Sequence, residues 1–186
     1  MLNTQQLVEE IEKTKQEYYS NHSKNSIFKK NQKIDCALEI THHFDLQVLL
    51  NNTCYILPNT NIIYFDYTIF KQYACPENYN YIVDSMTAIA NHVLTTYPDY
   101  EFHINLNTFS ISAFERYRSI IDYFLQNFQH IFSRNSLLCI YNPPQIIHQI
   151  QRALKPFVPN INGNIVYYSK EESPQKIQQL LSIGST

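Results

Sequence analysis

Glycine is almost missing. Only Gly163 and Gly184 occur in 186 residues, where an average chain of this length carries about a dozen. Loops that cradle phosphates need several glycines so that backbone N–H groups can approach the ligand. There is accordingly no P-loop, no dinucleotide fingerprint and no G-x-S-x-G nucleophile elbow, and no cofactor is expected. A basic excess is missing as well. Fourteen Lys and Arg against sixteen Asp and Glu leave a net charge of −2, so no global field exists to hold nucleic acid or an anionic bilayer.

Cysteine pairing motifs are absent too. Cys36, Cys54, Cys75 and Cys139 stand far apart with no C-x-x-C among them, so a structural zinc site has no support and no metal is expected. Met1 to Glu10 is polar and acidic, without the apolar core of a secretory signal. The thiols therefore read as reduced, and the protein as cytoplasmic. No apolar run approaches the ~20 residues of a membrane span.

What is present suits one packed domain. Hydrophobic residues make up 44% and charged residues 16%, enough apolar material for a core at this length. Residues 3–19 predict a polar helix with Leu7, Val8 and Ile11 as a narrow apolar stripe. Residues 20–33, with four lysines and several turn formers, read as a linker or mobile arm. The division is thus an N-terminal helix and arm over 1–33 and an α/β domain over 34–186. In that domain, short β-rich runs at 54–57 and 62–65 flank the turn Pro58-Asn59-Thr60. A helix is predicted across 78–97, with Ile82, Val83, Met86, Ala90, Val93 and Leu94 at spacings of three and four.

A strand follows at 101–106, with Phe102, Ile104 and Leu106 alternating against Glu101, His103 and Asn105. A long helix through Phe128 is expected from a capping box of Ser112 and Glu115. LLCIY at 137–141 reads as a strand covered on both faces. Asn142 with Pro143 and Pro144 predicts a helix start, and that helix carries Ile146, Ile147, Ile150 and Leu154. A last strand at 165–168 precedes the Ser173-Pro174 start of a terminal helix. Alternating strands and helices predict an α/β fold with a mixed, mostly parallel sheet layered with helices.

Catalytic residues do not stand out. His42 and His43 are adjacent and point in different directions. His103, beside Glu101 and Asn105 on one strand face, reads as a wet face or cavity wall. Glu39, Asp45 and Asp66 show no acid–base spacing. Glu171 and Glu172 suit a helix start, where negative charge favours the dipole, and Ser110 and Ser112 read as caps.

The segment Tyr141 to Lys170 resembles the CRAL-TRIO lipid-binding family. Its members carry a strand ending in Asn-x-Pro, an amphipathic helix, a Lys-Pro-Phe turn and a further strand. Those features match Asn142 and Pro144, the helix to Leu154, Lys155-Pro156-Phe157, and Ile165 to Tyr168. More loosely, Ile62 to Asp66 is similar to the family's early strand. Residues 101–132 are similar to its next strand and long helix, with Asn105 and Asn107 at the exit. The resemblance covers about residues 50–180. It is nearest to divergent members that stand alone, some encoded by large DNA viruses with AT-rich genomes, a source that the fifteen tyrosines and many Asn and Ile suit.

The resemblance implies a CRAL-TRIO-like fold in which a lipid cavity lies between the sheet and a movable gate helix, matched by residues 142–154. Phe102, Ile104, Phe124, Ile146, Ile147 and Ile150 are the candidate wall residues, and transient membrane contact belongs to this mode of action. Where phosphatidylinositol-transfer members use a Glu and a Lys for the headgroup, this chain has Ser133 and Asn164. The hinge glycine near Ile146 is replaced, and the N-terminal bundle is missing. Non-enzymatic binding of a hydrophobic ligand such as a lipid is the expected function. A protein-interaction module similar to BCH domains, which bind small GTPases, is the second reading. An enzyme acting through His103 and a carboxylate is the third.

Overall fold

The computed structural model describes residues 4–22, 29–127, 129–154 and 164–183. Three helices, α1 (Thr4–Asn21), α2 (Lys29–His43) and α3 (Leu46–Thr53), precede β1 (Cys54–Ile56) and β2 (Ile62–Asp66). The chain continues through α4 (Tyr67–Tyr73), α5 (Tyr79–Thr96), β3 (Tyr100–Asn105), α6 (Ile111–Arg116), α7 (Arg118–Asn127) and α8 (Gln129–Phe132). It ends with β4 (Asn135–Tyr141), α9 (Ile147–Leu154), β5 (Ile165–Tyr168) and α10 (Ser173–Ser182). Strand order follows the sequence, β1 through β5. β1 is antiparallel to β2, and β2 to β5 are parallel throughout. The sheet is therefore mixed and mostly parallel, inside an α/β architecture.

This order decides which face carries what. Each parallel strand is added on the same side as the last, so right-handed crossovers place their helices on one face. There α5, α7 and α9 surround Phe65, Phe102, Ile104, Leu138 and Ile140. α10 returns across the other face, where Leu180 packs with Leu57, Tyr64, Cys139 and Tyr141.

The N-terminal segment departs from the expected division. Leu7 and Ile11 of α1 are 0% and 1% exposed and belong to the same core as Ile63, Tyr73 and Ile82. Residues 29–33, assigned to the arm, are the first turns of α2; residues 23–28 lie outside the described residues. α3 and α4, unforeseen in the sequence, are each started by an aspartate: Asp45 accepts from Gln47 N and Asp66 from Thr68 N.

Two expected helix starts also move. Ser110, not Ser112, caps α6, accepting from Ala113 N at 3.3 Å. The anticipated long helix breaks at Tyr117. Asn142 does not cap α9. It takes a left-handed φ of 53° and donates its amide to Asn105 Oδ1 at 2.9 Å, so the helix begins at Ile147. The Lys155-Pro156-Phe157 turn and Phe128 lie outside the described residues. Among the described residues, no helix is long and apolar enough to cross a membrane.

Candidate ligand site

Alternation along β3 separates two environments. Phe102 and Ile104 face the crossover helices, and Glu101, His103 and Asn105 face the other way, toward Tyr64 and Tyr141. On the helix side lies a cavity of about 250 Å³ walled almost entirely by apolar atoms. Its floor is the sheet. Val83 and Met86 of α5, Ile120 and Phe124 of α7, and Ile147 and Ile150 of α9 enclose it from above. The apolar stripe of α5 thus divides its work. Ile82 and Val93 are buried in the packed core, while Val83 and Met86 touch the cavity.

Five of the six residues expected on the wall, Phe102, Ile104, Phe124, Ile147 and Ile150, are brought together there. Ile146 is not. It precedes α9, and its carbonyl accepts the Ile150 N–H, so it belongs to the turn that starts the helix. Sequence reading missed the aromatic end of the cavity, formed by Tyr67, Phe70, Phe109, Phe114 and Tyr117. Phe114 and Tyr117 fall three apart on the stripe of the expected long helix, but nothing in the spacing joins them to Phe109, which lies before the Ser110 cap.

The opposite face, covered by α10, carries the polar side chains of β3 beside an apolar cluster. His103 is 5% exposed; its Nε2 lies 3.2 Å from Glu101 Oε2 and its Nδ1 2.8 Å from the Tyr141 hydroxyl. A carboxylate only accepts, so Nε2 carries the proton and Nδ1 receives the Tyr141 O–H. This is neither the wet face nor the cavity wall expected for His103, but a buried, fully partnered side chain. At the strand ends, Asn105 donates to Asp66 Oδ2 at 3.3 Å and accepts from Asn142 and Asn107 N, tying β2, β3 and β4 together. Asn164 donates to Ser136 O, clamping the start of β5.

Burial, which outweighs the opposing pull of Glu101, holds the His103 pKa below its ordinary value. The unfolded chain therefore binds a proton more readily than the fold does, and stability falls as pH drops from about 6.5 toward that lowered value. Urea denaturation at pH 7 and pH 5.5 is expected to show a larger loss for the wild type than for His103→Gln. Equal losses would mean that His103 is not the group responsible.

The other sequence candidates carry no site. His42 and His43 sit exposed at the end of α2 beside Glu39, and no group of three potential metal ligands occurs among the described residues. All four cysteines are buried free thiols. Burial raises each of them, Cys54 and Cys75 to about 12 and Cys139 to about 11, so they stay protonated. Glu172 accepts from Ser169 N at 2.9 Å, contacts that hold it below the usual carboxylate range. No family model, curated protein or solved structure matches the chain.

Proposed function

We propose that the protein is a non-enzymatic binder of a hydrophobic ligand, a lipid with a single alkyl chain, in a CRAL-TRIO-like arrangement with α9 as the gate helix. The observation that carries this reading is the apolar cavity between the sheet and α9. Folded cores are close-packed, so an apolar space of about 250 Å³ leaves its lining side chains without contacts on one side. A ligand that fills the space supplies them. The volume lies just below the roughly 300–1,000 Å³ of small-molecule pockets, which suits one chain rather than a two-chain phospholipid.

Native mass spectrometry of protein purified from a eukaryotic host, with organic extraction, tests the reading. A stoichiometric single-chain lipid is expected, together with uptake of a fluorescent fatty acid from vesicles. Bare protein that takes up none would overturn it and favour the interaction-module reading, for which a solid core suffices.

A further inference from the structure

A second void of about 20 Å³ lies against the large cavity, and Met86, Phe102, Phe124 and Phe132 line both. Three elements pass the two spaces in the same order. On α5, Val83 lines the large cavity, Met86 both, and Ala90 the small void. Their spacings of three and four put them on one face of the helix. On β3, Ile104 lines the large cavity, Phe102 both, and Tyr100 the small void, as alternate residues on one side of a strand. Phe65 and then Ile63 repeat the order on β2. These strands are parallel, so the small void lies toward their amino ends.

That side is closed. Cys54, Ile63, Ala90, Tyr100 and Ile131, which complete the small void, are at most 5% exposed. At the carboxyl ends of the strands, where ligands enter open α/β sheets, Leu106, Phe109 and Phe114 of the large cavity are only half-buried. An alkyl chain with its head at that end therefore directs its terminal methyl toward the small void. By itself this void has room for about one water-sized group, so it matters as an extension of the large cavity.

The boundary between the two has one adaptable member. Phe102 is fixed in the middle strand of the sheet. Phe124 and Phe132 brace each other edge to face, with centroids 5.6 Å apart. Met86 is unbranched, with a flexible thioether that fills irregular gaps. We propose that Met86 sets the chain length of the ligand: its side chain is the partition at which the terminal methyl of a single alkyl chain stops, and the small void is the space into which the methyl end of Met86 can yield. The proposal rests on the ligand-binding reading above and specifies which chains that site takes.

The test keeps the head constant and changes the chain. Octanoate, decanoate, dodecanoate and tetradecanoate compete with Nile red in the full-length protein. Affinity is expected to rise roughly fourfold per methylene while each addition is buried, and to stop rising where the chain meets the partition. Met86→Ala joins the two spaces and is expected to move this break to chains about three to four carbons longer, the length of the lost side chain plus one water-sized group. Ala90→Leu added to Met86→Ala refills the joined space from the far side and is expected to return the break to its wild-type position. Met86→Phe, which tests the same residue without adding empty space, is expected to move it to shorter chains. The rise per methylene below the break should be the same in every variant, which a general loosening of the core would not leave intact. An unbroken rise through tetradecanoate in the wild type, or a break at one chain length in wild type, Met86→Ala and Met86→Phe alike, overturns the role of Met86 and leaves the cavity reading standing. Failure of every fatty acid to displace the dye overturns the ligand-binding reading itself, and this inference with it.

Discussion

Ile104→Trp is expected to block uptake of an alkyl ligand while leaving the fold intact. Ile104 lies on β3, the middle strand of the sheet, and lines the cavity beside Phe102. An indole there projects into space now open rather than into packed neighbours. Alkyl affinity should therefore fall by at least about tenfold, or 1.4 kcal/mol. Stability should hold or rise, because filling a void recovers lost contacts. A solid core would respond in the opposite way. Inserting a larger ring into close-packed side chains costs typically about 1–3 kcal/mol, with no binding to lose.

The substitution brings its own reporter. The protein contains no tryptophan, so emission from the variant comes from this one position, apart from tyrosine. A blue-shifted spectrum that added decanoate leaves unchanged is the expected result. A red-shifted, water-exposed spectrum, or a urea midpoint far below wild type, would mean that the cavity is not the open apolar space described. The experiment separates the two leading readings because they assign opposite roles to the same volume. A binder keeps a void for its ligand, and an interaction module has no use for one.

Much of the wall was legible because it depends on local periodicity. Alternation along β3 puts Phe102 and Ile104 on one face, whatever the rest of the chain does, and the α9 stripe brings Ile147 and Ile150 to the same side. Short helices hid better. α4 spans seven residues, too few to be stable alone, and the burial of Tyr67, Ile69, Phe70 and Tyr73 holds it in place. Its one local mark is the Asp66 cap. α2 begins in lysines, and among its described side chains Cys36, Ala37 and Ile40 are the buried hydrophobic ones, too small or too sparse to signal a packed face.

Asn142 shows a different failure. Asn-Pro-Pro has every local property of a helix start, yet the side chain is drawn to Asn105 on the neighbouring strand. A long-range partner decided the conformation. The clustering of Arg116 with Tyr79 and Tyr117 was illegible for the same reason, since only the fold brings them together.

Helix α1 is where the sequence-based division and the fold differ most, and substitution there gives the second large effect. Leu7→Ala and Ile11→Ala are each expected to destabilise the whole domain by about 2–5 kcal/mol, the usual cost of truncating a fully buried aliphatic side chain. The two lie one helical turn apart on the same face of an 18-residue helix, and both are inside the main core. A polar helix of this length is marginal in isolation, so its attachment rests on that narrow stripe, with Thr4 Oγ1 to Asn52 Oδ1 at 2.8 Å as a minor exposed tie. The effect should be global, with a lower urea midpoint and an unchanged slope, because α1 packs on α2 and α2 in turn on α4. If both alanine variants stay within about 0.5 kcal/mol of wild type, as surface substitutions do, α1 is an appendage and the boundary near residue 33 stands.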